Sequence, residues 1–354
     1  CCSINYNFGF LHQMEQKPDR PSQGKRKKDH IDLALKSQIA ALDADSRFYY
    51  EPILNGHPER NCVPETAWAG KILKNPIWVS SMTGGAKESG VINSRLAKVC
   101  REFGLGMGLG SCRSLLDSDQ FLPDFNVRKD IGEDAPLFAN LGIAQMEQIQ
   151  TQHAWEKIEK MIKKLDADGL IIHVNPFQEW LQPEGDKIIN PPIVTIMGAL
   201  KNLKVPLIVK EVGQGIGPKS LEALMKLPLT AIEFAALGGT NFSTLELKRQ
   251  DDQKRNQYEV LSKIGHTAVE MTEYVNNLAI SLNDKIKCKS FILSGGIKDF
   301  LDGYYLMHKL HFKSIYGQAS GFLAPARKSY EALYDHVKAQ VNGLQIAYTY
   351  LHVR

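Results

Sequence analysis

Eight short runs of apolar, β-branched or glycine-bearing residues, set apart by amphipathic stretches, limit the folds open to this chain more than any other feature. The runs are IWVSSM (77–82), GLGMGLG (104–110), LFANLG (137–142), GLIIHVN (169–175), LIVKEV (207–212), AIEFAA (231–236), FILSGG (291–296) and SIYGQA (314–319). Between most of them lie helical patterns: NSRLAKVCREF, AWEKIEKMIKKLDA, PPIVTIMGALKNL, PKSLEALMKL, MTEYVNNLAISL and FLDGYYLMHKL. Near-continuous apolar strands alternating with amphipathic helices indicate a parallel sheet covered by helices. Eight such units within roughly 250 residues suit an α/β protein of the (β/α)8 barrel type. A doubly wound open sheet is the alternative.

At 354 residues, 43% hydrophobic and 23% charged, the chain can bury a large core. A net charge of +4, from 43 basic and 39 acidic residues, is too small to imply a nucleic-acid partner. No apolar run approaches a membrane span and no signal-peptide pattern opens the chain, so a cytoplasmic protein is expected. The six cysteines lack metal-site spacing, and reduced thiols are expected. Residues 1–24 have neither helical nor strand period and are expected to be a flexible extension ahead of a barrel domain at 25–354. KDHIDLALKSQIAA then carries a helical apolar stripe, and EPILNGHPERNCVPE is a connector.

Barrel chemistry gathers at the C-terminal ends of the strands. Those ends carry Thr83-Gly84-Gly85, Ser111-Cys112-Arg113, Asn140, His173 with Asn175, Lys210-Glu211, Gly238-Gly239-Thr240, Gly295-Gly296 and Ala319-Ser320. Strand ends meet solvent and are commonly polar. Lys210 is different, because it follows PLIV inside an apolar run, where an unpaired ammonium is costly to bury. It suits a site beside an anionic ring, or a structural pair with Glu211. SGGIKD (294–299) opens a helix after a strand and would favour a phosphate through backbone N–H groups and the helix dipole; glycines also end strands for steric reasons. YGQASGF, on the next strand, could complete a phosphate cup. The glycines of SSMTGGA and GLGMGLGSCR would admit a flat ring, or only relieve crowding at the inner wall. In HVNPFQEWLQPEGD (173–186), Glu179 is a good magnesium ligand and Gln178 a poor general acid. GKRKKDH places Arg26 and Lys27 in a positive cluster that is either a solvated face or a diphosphate clamp.

RKKDHI, SSMTGGA, GLGSCRS, FANLGIAQ, HVNPFQEWLQPEGD, PLIVKEVGQGI, GGTNFSTLE and SGGI, in this order from about residue 25 onward, resemble the type 2, flavin-dependent isopentenyl-diphosphate delta-isomerase family. The resemblance implies a (β/α)8 barrel that binds FMN and Mg²⁺, with NAD(P)H as reductant, and that interconverts isopentenyl and dimethylallyl diphosphate. It implies a homo-oligomer, a tetramer or octamer. Met82, Thr83, Gly84, Ser111, Asn140, Lys210 and Thr240 would contact FMN, with Gly296, Ile297, Lys298, Ala319 and Ser320 around its phosphate. Arg26, Lys27, Ser111, Cys112, Arg113, His173, Asn175 and Gln178 would line the substrate site, and Glu179 would hold the metal. Gln178 and Glu246 are the candidates for proton handling, and Lys248 to Glu259 a lid. Two features depart from the family's pattern: Lys298, where arginine is usual, and YGQASGF in the last strand.

A flavin oxidoreductase of the 2-hydroxy-acid oxidase class shares barrel, FMN and strand-end lysine. It needs a histidine base and an arginine pair late in the barrel, and after Lys210 only His266, His308, His311, His336 and His352 remain, none in a strand-end run. A non-catalytic flavin-binding barrel is the other alternative.

Overall fold

The computed structural model describes residues 23–58, 62–81 and 88–354. The chain divides into two compact units, one up to Ser46 and one from Arg47 to Arg354. In the first, a helix spans Gln23–Ala34, so it begins ahead of the basic cluster and ends before Ile39. Arg26 and Lys27 are exposed on it, and so are Ile31, Leu33 and Leu35.

The second unit is a closed, all-parallel barrel of eight strands: β1 (Ile77–Val79), β2 (Gly106–Gly108), β3 (Leu137–Gly142), β4 (Gly169–His173), β5 (Leu207–Lys210), β6 (Ala231–Glu233), β7 (Ser290–Ser294) and β8 (Lys313–Gln318). Each strand pairs with its neighbours in sequence and β8 closes on β1, which excludes the open sheet. Every strand falls inside, or within one residue of, an apolar run identified in the sequence. The ladders end earlier than most runs do, because the last residues of each run turn out to form the mouth.

Side chains fill the barrel interior, as packing in a small barrel requires. Trp78, Phe138, Ile171, Ile208, Ala231, Ile292 and Ile315, one each from seven strands, form one buried cluster with Trp68 and Leu73. The last two come from a hairpin, Thr66–Trp68 with Lys71–Leu73, that precedes β1. The β2 position in this layer is Gly106, where a Cβ would overlap the Trp78 ring. This glycine therefore relieves crowding at the inner wall, one of the two roles open for the GLGMGLG run. A second, larger cluster joins the outward faces of the strands to the helices.

All six helical patterns are helices, among them Ser89–Phe103, Trp155–Leu165 and Ala268–Leu282. Others add to them, including a 21-residue helix, Tyr330–Tyr350, and an antiparallel pair that joins Phe48–Tyr50 to Leu351–Val353. Among the described residues no helix is long and apolar enough to cross a membrane.

Candidate active site

The C-terminal ends of β1 and β5 to β8 surround a cavity of about 410 Å³. Seven residues expected around a flavin line it: Lys210, Thr240, Gly296, Ile297, Lys298, Ala319 and Ser320. Met82, Thr83 and Gly84 lie outside the described residues. Ser111 is exposed just after β2. Asn140, buried on β3, is fixed from both sides: its Nδ2 donates to the Leu109 carbonyl at 3.1 Å and its Oδ1 lies 2.9 Å from His173 Nδ1.

One expectation for phosphate binding is corrected. The helix after β7, Phe300–Lys309, has no free N-terminus, because the Asp299 carboxylate accepts from the N–H groups of Leu301 and Asp302. A carboxylate already seated there repels a second anion. The neighbouring helix, Ser320–Lys328, starts after β8 without any side-chain cap, and its first residues, Ser320 and Gly321, line the cavity. Opposite them Gly295 and Gly296 have φ of +89° and +76°, backbone that side-chain-bearing residues rarely adopt. An uncapped helix start facing glycine backbone is a suitable seat for a phosphate. Gln318 Nε2 donates to the Ile297 carbonyl at 3.1 Å and ties the two halves together.

Lys210 is 6% exposed and donates from Nζ to the Glu211 carbonyl at 2.7 Å. It forms no ion pair among the described residues. The Glu211 carboxyl accepts instead from the N–H groups of Gln214 at 2.6 Å and Gly215 at 3.2 Å, and its burial raises its pKa. The side-chain pair considered from the sequence is thus replaced by a contact to the backbone, which leaves the Lys210 side chain beside the cavity with no ion pair among the described residues. His173 closes the neighbouring strand, in register with Lys210. Burial, helped by that ammonium, pushes its pKa down to about 3, so the ring is neutral. A neutral ring that donates from Nδ1 to Asn140 presents Nε2 as an acceptor.

A second cluster sits on the turns after β4 and β6. The helix Pro176–Leu181 carries Gln178 and Glu179, and the helix Phe242–Lys248 carries Glu246. Asn175, 2% exposed, donates from Nδ2 to Gln178 Oε1 at 3.1 Å and to Glu179 Oε1 at 3.0 Å. Gln178 Nε2 reaches Glu246 Oε1 at 3.3 Å, and Arg249 Nη1 lies 2.6 Å from Glu246 Oε2. The other arm of Arg249 pairs with Glu184. Glu179 Oε2 accepts from the Asp186 N–H at 2.8 Å, and Asp186 binds Arg113 at 2.7 Å. Asn175, Gln178, Glu179, Glu246 and Arg113 therefore form one hydrogen-bonded network. Among the described residues no group of three or more His, Cys, Asp or Glu is arranged to hold a metal. A cation here would take one carboxylate, Glu179, with the remaining positions filled by ligand oxygens and water, as magnesium accepts.

One further expectation is corrected. Cys112 is fully buried in the outer core; its thiol faces the Gly110 carbonyl and its N–H donates to Asn140, so it has nothing to offer a substrate. The stretch taken as a lid is mostly helix, Asp252–Ser262, started by an Asp251 cap and held against the Pro176–Leu181 helix by an edge contact between Tyr258 and Trp180. Arg26 and Lys27 belong to the other compact unit.

One residue of the mouth was overlooked. Glu233, the last residue of β6, is 0% exposed and receives hydrogen bonds at Oε1 from Ser80 at 2.6 Å and Ser294 at 3.1 Å. A charged residue within AIEFAA gave the same signal as Lys210 within LIVKEV.

No family model matches the chain. The chain is 32% identical over 332 residues to an isopentenyl-diphosphate delta-isomerase of Synechocystis sp., covering 91% of this chain and 90% of that one. It is 33% identical over 324 residues to one from Rickettsia felis, with coverage of 91% and 90%. For one from Pseudescherichia vulneris the identity is 31% over 327 residues, with coverage of 91% for both. In structure it is similar to a mandelate oxidase with an FMN adduct, at TM-score 0.52 and 11% identity over 87% of this chain and 88% of that one. A flavocytochrome b2 gives TM-score 0.57 and 13% identity, covering 85% of this chain and 71% of that one. These structures share the barrel; the sequence relatives share far more, and the chain belongs to the isopentenyl-diphosphate delta-isomerase family.

Proposed function

We propose that this chain interconverts isopentenyl diphosphate and dimethylallyl diphosphate, using reduced FMN and Mg²⁺, with NAD(P)H as the source of reducing equivalents and a homo-oligomer as the working form. The observation that carries the reading is the adjacency of two half-sites at one barrel mouth. One is a glycine-lined cavity with a cation and an uncapped helix start; the other is the network that joins Gln178, Glu179 and Glu246.

The residues present fit FMN. The Ser320 helix start and the Gly295-Gly296 turn would hold its phosphate, and Lys210 would sit at its ring. When bound, reduced flavin supplies an electron-rich face and a ring nitrogen able to exchange a proton. Moving the double bond requires a proton added at one end of the three-carbon allylic unit and another removed from its other end, on the far side of the central cationic carbon. Glu246 holds or returns a proton at Oε1, Gln178 orients it through Nε2, and Arg249 compensates its charge at Oε2. Neutral His173 and Asn175 bind without placing further charge beside a carbocation-like state. Glu179 would hold Mg²⁺, and Ser111 and Arg113 would contribute substrate contacts. His266, the first histidine after Lys210, lines another cavity of about 530 Å³ with Phe177 and Leu224, one that Lys210 also lines.

The test is turnover of isopentenyl diphosphate by the full chain, anaerobically, with FMN, dithionite and Mg²⁺. Dimethylallyl diphosphate should accumulate to an equilibrium mixture. Bound flavin without isomerisation would defeat the proposal.

A further inference from the structure

Two buried oxygen acceptors at the floor of the mouth lack a partner among the described residues: Glu233 Oε2 and Gln318 Oε1. Both residues line the 410 Å³ cavity, and both are nearly inaccessible, at 0% and 4% exposure. Their other polar atoms are fully used. Glu233 Oε1 accepts from two serine hydroxyls, and Gln318 Nε2 donates to the Ile297 carbonyl, which also fixes which end of that amide is the acceptor. A buried acceptor without a donor is costly, so a pair of them in one wall marks where a ligand supplies donors.

Their placement says what kind of donor. Gln318 ends β8, two residues before Ser320 at the uncapped helix start, and Glu233 ends β6, with Ser294 of β7 between them. Strands β6 and β8 are two ladder spacings apart, about 10 Å. Between the phosphate seat and Lys210, the wall thus offers acceptors at the ends of β6 and β8. Resting on the FMN reading above, we infer that Glu233 and Gln318 receive the hydroxyl groups of a phosphorylated polyol chain, and that Glu233 makes the mouth selective for a hydroxyl-bearing cofactor chain over a plain alkyl one.

The test reads binding and needs no turnover. The full chain is titrated with FMN and with an analogue in which the hydroxyls of the chain between ring and phosphate are replaced by hydrogen, following flavin fluorescence. The parent should bind the analogue about tenfold to a hundredfold more weakly, the loss expected for hydrogen bonds to a charged acceptor. In Glu233→Gln, whose amide can keep the serine contacts but turns N–H groups toward the ligand, most of that preference should vanish. Equal affinity of the parent for both ligands overturns the inference while leaving the FMN reading intact. So does full preference retained in Glu233→Gln. The comparison within the parent stands even if that variant folds poorly. A parent that binds neither ligand defeats the FMN reading, and the inference with it.

Discussion

His173 should make this protein sensitive to mild acid, and His173→Gln should remove the sensitivity. In the unfolded chain a histidine takes up a proton near pH 6.5; in the folded chain burial and the Lys210 ammonium hold the same ring neutral down to about pH 3. Below pH 6.5 the unfolded state therefore binds one more proton than the folded state, and stability falls as pH falls until the folded pKa is reached. Integrated from pH 7 to pH 5, one such group costs about 2 kcal/mol. Part of the residue still reaches solvent, so this is an upper value. Urea unfolding of parent and His173→Gln at pH 7, 6 and 5 measures it: the parent should lose up to about 2 kcal/mol more than the variant over that window. Parallel losses in the two proteins, or a His173 ring that titrates near 6.5 in the folded parent by NMR, would refute the reasoning.

Glu246→Gln should lower turnover of isopentenyl diphosphate by a factor of about 10² to 10⁴, the usual worth of a positioned acid or base, with FMN affinity unchanged in a fluorescence titration. Glu179→Gln should raise the Mg²⁺ concentration needed for half-maximal turnover and leave flavin bound; a metal titration that superimposes on the parent's counts against its role. Asp299→Ala should cost about 1 kcal/mol of stability in urea through loss of the helix cap, without weakening FMN, because the proposed phosphate seat lies at the other helix. Gly106→Ala should cost about 1–3 kcal/mol, read as a lower urea midpoint, since its methyl group must displace the Trp78 ring.

The barrel was legible because its signal is repeated: eight apolar runs, each long enough to be a strand and separated by helix-length spacers, have few other solutions. The Tyr330–Tyr350 helix was not, since it follows the last strand and belongs to no βα repeat that would mark it. SGGIKD misled for a local reason. The Asp that ends the motif is itself a helix cap, and a capped helix start has already met its anion. The substrate-side residues are expected from motif order, while their mutual geometry is not legible there, because Gln178 and Glu246 are 68 positions apart and meet only through the barrel. Glu233 could have been found by the argument applied to Lys210: an ionisable residue inside an apolar run needs a reason to be there.

The mouth is assembled from two arcs with separate connections. The uncapped helix start and glycine turn proposed to grip a phosphate hang on the last two strands, while the amide, carboxylate and guanidinium that would act on a substrate hang on the excursions following β4 and β6. An arrangement of this kind can trade one reaction for another by rewriting residues 174–190 and 243–262 while the proposed nucleotide dock stays as it is. Grafting those two excursions between barrels of this shape is consequently a more promising way to redirect the chemistry than point changes around the dock.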